Sequence, residues 1–129
     1  MSFTLDTSAY SAFNRGNSRL KVWFSPKNDI IVPTIVIGEL RAGFITGSKQ
    51  KENEELLQKF IDRPNVFVQT ISDKTTLIYS HIYLSLRKKG KPIGSNDMWI
   101  AAIALELDNE LLTLDDDFKN ISDLMLGSI

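Results

Sequence analysis

Short β-branched apolar runs alternate along this chain with longer stretches of helical spacing. Strands separated in this way have room to pair in parallel, so the alternation predicts an α/β domain with a mainly parallel central sheet. "SFTL" (2–5), "DIIVP" (29–33), "VFVQTI" (66–71) and "ELLTL" (110–114) read as four strands. After the first, Thr7 or Ser8 offers an N-cap for a short helix, and 19–24 reads as a second helical piece stopped by Ser25 and Pro26. "TIVIGELRAGFITG" carries apolar residues at Ile35, Ile37, Leu40, Phe44 and Ile45 and predicts a helix. The 49–63 segment is amphipathic, with Leu56, Leu57, Phe60 and Ile61 on the buried side. A long helix over 72–90 is capped by Ser72 and closed by Gly90, and another covers 95–109. A helical turn and a final edge strand are expected after Phe118. With 129 residues and no repeat or linker, one domain over 1–129 is expected.

Composition narrows the chemistry. The chain has no cysteine and a single histidine, His81, which excludes disulfides, thiolate catalysis and multi-histidine metal cages. Any reaction must use carboxylates, hydroxyls, Lys, Arg or hard cations. No apolar run approaches bilayer length and "MSFTLDTSAY" lacks the features of a signal peptide, so no membrane association and a cytoplasmic location are expected.

Ligands of open parallel sheets collect outside the carboxyl ends of the strands, and the acidic residues fall there. Asp6 follows the first strand and Asp115 the fourth, opening the run "LLTLDDDF". Glu39 lies within two turns of the start of the helix after the second strand. Asp97 lies just past the cap candidates Ser95 and Asn96. Taken singly, each has an ordinary reading. Asp6 is a fair N-cap, Asp97 suits a helix N-terminus, and three consecutive aspartates make a solvated turn. Taken together, four carboxylates among apolar neighbours at one rim repel each other unless a cation compensates. Mg²⁺ or Mn²⁺ does so through oxygen ligands, and activates water for phosphodiester hydrolysis without His or Cys. Asp6, Asp97 and Asp115 are the expected metal ligands; Glu39 serves a second metal or the attacking water. Thr7, Ser8 and Thr113 are placed to hydrogen-bond a carboxylate or the scissile phosphate.

In order and spacing, "TLDTSAYSAF", "VPTIVIGELRAG", "SNDMWIAAIAL" and "LLTLDDDF" resemble the motifs of PIN-domain ribonucleases, and within them the VapC-like toxins of toxin–antitoxin pairs. The resemblance runs from Asp6 to Phe118. It implies a three-layer α/β/α sandwich and a metal-dependent endonuclease acting on single-stranded or loop RNA, with tRNA or rRNA as candidate substrates. The family's acidic quartet falls on Asp6, Glu39, Asp97 and Asp115, with Asp117 as an auxiliary and Asp116 facing solvent. The resemblance also implies a homodimer and a cognate VapB-like antitoxin that presents a basic side chain to the acids. Phe13, Val22, Trp23 and Phe24 offer such partners a surface, or belong to the core.

RNA needs positive charge, and the densest cluster is Arg87, Lys88, Lys89 and Lys91, ahead of the Asp97 helix. Arg41 lies nearer the acids and is placed to touch a phosphate or pair with a carboxylate. Trp99 and Tyr10 read as core before base-stacking residues. Three alternatives stay open: an RNA-processing nuclease that is not a toxin, a Mg-dependent phosphatase or phosphoryl-transfer domain, and a degenerate PIN binding module. The phosphatase reading wants a second Asp two residues after the first, where this chain has Ser8.

Overall fold

The computed structural model describes residues Met1–Ile129. Its elements run β1 (Ser2–Leu5), α1 (Thr7–Asn14), β2 (Asp29–Pro33), α2 (Thr34–Thr46), α3 (Gln50–Ile61), β3 (Val66–Gln69), α4 (Asp73–Lys89), α5 (Ser95–Glu106) and β4 (Glu110–Leu112). Two 3-10 turns, Ser18–Leu20 and Asp116–Asn120, complete the chain. The four strands form one parallel sheet in the order β3-β2-β1-β4.

β1 sits inside the sheet, pairing Phe3 with both Ile30 and Glu110. Its consecutive residues Phe3, Thr4 and Leu5 are all essentially inaccessible. Neighbours along a strand point to opposite faces, so both faces of β1 are covered and the architecture is three-layered. The one polar member, Thr4, is satisfied by donating to Asn109 Oδ1 at 2.6 Å. The chain builds β2 and β3 on one side of β1 and then crosses to place β4 on the other. The reversal opens a crevice at the carboxyl ends of β1 and β4.

Local chemistry explains the longest helix. Ser72 and Thr75 form a reciprocal capping box at the start of α4, and Gly90 closes it in the left-handed region at φ 68°. Thr75, fully buried, also donates to Glu106, tying the start of α4 to the end of α5. α5 is buried at Met98 and from Ile100 to Ala104, between the sheet and α4.

Several expected boundaries move. Asp6, rather than Thr7 or Ser8, caps α1. The 19–24 helix is only a 3-10 turn over Ser18–Leu20, because the aromatics that follow are drawn inward. Trp23 meets Phe3 edge-on at 5.2 Å, and Phe24 stacks on Phe13 at 3.8 Å. Phe24 is therefore core and Phe13 and Trp23 are half-covered, leaving Val22 as the one exposed member of that set. Leu56, expected inside, is exposed, as is Ile45 near the end of α2. β3 stops at Gln69 and β4 at Leu112, and the final edge strand reduces to a single bridge between Leu126 and Leu111. No helix is long and apolar enough to cross a membrane.

Candidate active site

Asp6 lies between β1 and α1, and its ordinary reading as an N-cap holds. Its Oδ1 accepts the Ala9 N–H at 2.9 Å as an N-cap and the Ser8 hydroxyl at 2.8 Å. Its Oδ2 accepts the Thr113 hydroxyl at 2.5 Å. Only 4% exposed, Asp6 has its pKa raised by burial, against the three hydrogen bonds from Thr113, Ala9 and Ser8. Three donors therefore fix the carboxylate in one orientation.

Thr113 explains why β4 is short. Its hydroxyl donates to Asp6 and accepts the Asp115 N–H at 3.0 Å, so the backbone turns toward the crevice. Ser8 donates to Asp6 and accepts the Leu114 N–H at 3.0 Å. Both hydroxyl protons are thus spent on Asp6, and the 3.4 Å approach of Ser8 to Thr113 carries none. Asp115 accepts the Asp117 N–H at 2.9 Å and caps the turn over Asp116–Asn120. On the opposite side, Thr7 donates to Glu39 Oε1 at 2.7 Å, joining α1 to α2.

Asp97, in the first turn of α5, collects the effect of all of these groups. Its pKa is pushed up to about 6, first by burial and then by the negative charges of Asp115, Glu39, Asp6 and Asp117. No cation offsets them. The chain's two ion pairs lie elsewhere, Arg41 with Glu54 at 2.7 Å and Lys119 with Asp116 at 2.9 Å. Carboxylates from four separated segments are gathered here with their charge uncompensated. Asp116 faces solvent on Lys119, whereas Asp117 is near enough to act on Asp97.

This donor set fits a hard divalent cation: all oxygen, strongly negative and half-buried. The side chains do not close to ligand distance by themselves, since no three acidic or histidine groups form a ready metal cluster. Repulsion keeps bare carboxylates apart, and hydroxyls and an amide already hold oxygens of Asp6, Glu39 and Asp115.

The basic residues are placed differently. Arg41 is spent on Glu54, away from the acids. Lys89 donates to Asn120 O at 2.7 Å and Ser122 Oγ at 2.6 Å, pinning the segment after the acidic turn. Arg87 donates to the Tyr83 hydroxyl at 3.1 Å, while Lys88 and Lys91 are exposed. Trp99 stacks on Tyr79 at 3.9 Å and Tyr10 is buried against Phe60, so both are packing residues. Tyr83 escaped the sequence reading; an aromatic four residues before Arg87 on a helix was the available signal.

Residues 3–124 match the family model described as "PIN domain". The chain belongs to the PIN-domain family. Within it, the chain is similar to Ribonuclease VapC2 of Rickettsia felis, 33% identical over 77% of this chain and 73% of the relative. It is likewise similar to Ribonuclease VapC1 of Haemophilus influenzae, 30% identical over the same shares. Among solved structures, VapBC2 from Rickettsia felis, bound to a promoter DNA fragment, superposes with a TM-score of 0.84 at 30% identity, covering 98% of each chain. VapBC-1 from nontypeable Haemophilus influenzae superposes at 0.86 and 26%, covering 99% and 98%. The PIN fold accounts for the geometry: parallel strands deliver Asp6 and Asp115, and the N-terminal halves of α2 and α5 deliver Glu39 and Asp97, to one crevice.

Proposed function

We propose that this PIN domain is an endoribonuclease that uses Mg²⁺ or Mn²⁺ and acts as the toxin of a toxin–antitoxin pair. The observation that carries the reading is the convergence of Asp6, Glu39 and Asp115 on Asp97 with no compensating cation. The VapC ribonucleases to which the chain is similar support RNA as substrate.

Asp6, Asp97 and Asp115 would hold a divalent ion. When bound, such an ion supplies charge stabilisation at the scissile phosphate and lowers the pKa of the attacking water. The rest is work for the chain's own atoms. Thr113, Ser8 and the Ala9 N–H keep Asp6 in one orientation. Glu39 has one oxygen tied to Thr7, leaving Oε2 to accept a proton from, or orient, the attacking water. Asp117 adds negative charge at the rim. Arg41, Arg87, Lys88, Lys89 and Lys91 are the proposed phosphate contacts; Arg41 and Lys89 must exchange present partners to make them. Exposed apolar side chains at Phe67, Val68 and Leu77 support a homodimer, and the VapBC neighbours support a VapB-like antitoxin.

The test is cleavage of RNA in Mg²⁺ or Mn²⁺ by the wild type, Asp6→Asn and Asp97→Asn. Cleavage by the wild type and loss in both variants is expected. Metal-dependent cleavage surviving both substitutions would falsify the site. Hydrolysis of a phosphomonoester with no RNA cleavage would move the reading to a phosphatase. Growth arrest on expression, relieved by a small protein encoded alongside, separates a toxin from an RNA-processing nuclease.

A further inference from the structure

We propose that the cleft between the last two turns of α4 and the first turn of α5 is a nucleobase subsite, seating one unpaired base of the substrate beside the acidic crevice. This rests on the ribonuclease reading and names where the strand lies. The cleft encloses about 270 Å³ and is lined by Tyr83, Leu86, Arg87, Pro92, Ile93 and Met98. That is below the roughly 300–1,000 Å³ of pockets for larger ligands, and suits a single ring system. Met98 directly follows Asp97, so the cleft adjoins the helical turn that carries Asp97.

Its chemistry is that of a base platform. Tyr83, in the lining of the cleft, is 48% exposed, so its ring is open to a ligand from solvent. Arg87 donates to the Tyr83 hydroxyl at 3.1 Å, which holds a flat ring and a flat guanidinium side by side. Both surfaces stack on bases, and stacking tolerates any base identity. The rim has the charge that a polyanion needs. Arg87 lines the cleft and Lys91 lies in sequence between its lining residues Gly90 and Pro92; neither has an acidic partner, since the chain's ion pairs lie at Arg41 and Lys119. An apolar side chain from a protein partner would use the cleft but leave these two cations unanswered.

The experiment is a cleavage scan with Mn²⁺ and a single-stranded RNA in which one nucleotide at a time is made abasic. For the wild type, one position near the cut lowers kcat/KM on the order of tenfold when its base is removed. In Tyr83→Ala that positional penalty disappears; in Tyr83→Phe, which keeps the ring, it returns. Thermal melts and circular dichroism establish that both variants are folded. Wild-type cleavage with the same abasic profile in Tyr83→Ala overturns the subsite and leaves the ribonuclease reading standing. Loss of self-association or antitoxin binding in Tyr83→Ala, with the abasic profile unchanged, assigns the cleft to a protein contact and overturns it as well. A wild type that cleaves no RNA overturns both readings.

Discussion

Replacing Asp97 with Asn should stabilise the metal-free protein at neutral pH. The folded chain raises this carboxyl from 3.8 to about 6, by burial and by four neighbouring acids. A carboxyl whose pKa is higher folded than unfolded binds a proton more readily when folded. Its stabilising contribution is complete below about pH 4 and is lost as pH rises through about 6. At pH 7.5 Asp97 is charged and repelled, which nominally costs ~3 kcal/mol at 1.36 kcal/mol per pKa unit. Asp97 is only half-buried, so water screens the repulsion and about 1 kcal/mol is the better expectation. For a chain of this size that amounts to an increase of about 3–5 °C in Tm. The assay is thermal unfolding of wild type and Asp97→Asn in EDTA from pH 4.5 to pH 8. The variant's advantage should be greatest at pH 8 and should shrink toward pH 4.5. Added Mn²⁺ should raise the Tm of the wild type much more than that of the variant, because a ligand stabilises only the state that binds it. An Asp97→Asn protein no more stable than wild type at pH 8, or an advantage independent of pH, would refute the argument that uncompensated acids crowd this position.

Other substitutions separate orientation, scaffold and substrate contact. Thr113→Val removes the hydroxyl that Asp6 accepts on Oδ2, so the Asp6 pKa should rise further and Mn²⁺ affinity measured by calorimetry should fall; unchanged affinity would mean Thr113 does not orient Asp6. Thr75→Val strips a fully buried hydroxyl from the α4–α5 junction and should cost about 1–3 kcal/mol in urea unfolding while the metal affinity holds. Arg41→Ala breaks an exposed pair worth about 0–1 kcal/mol, so its Tm should barely move. If Arg41 contacts phosphate, the variant raises KM for RNA with kcat little changed, and an unaltered KM excludes that contact.

The placement of the acids was legible because parallel alternation sends every strand's carboxyl end to one rim, so Asp6 and Asp115 had to be neighbours once β1 and β4 paired. Ser72 and Gly90 were legible as well, since a cap depends on residues within one turn. What escaped depends on contacts between distant segments. Thr113 leaves the strand pattern because Asp6, 107 positions away, draws its hydroxyl. Trp23 and Phe24 leave the helical pattern because Phe3 and Phe13 give them aromatic partners. Leu56 follows the same helical periodicity as Leu57, yet the neighbours of α3 cover only the latter. The cleft at Tyr83 exists only where α4 and α5 approach, and neither helix shows it alone.

Diffraction at the manganese edge from crystals grown with Mn²⁺ addresses the central claim most directly. An anomalous peak bounded by the carboxylates of Asp6, Asp97 and Asp115, and absent from Asp97→Asn crystals of the same form, is the predicted result. Manganese bound away from these carboxylates, or none in the crevice of a wild type that cleaves RNA only with Mn²⁺, would contradict the account.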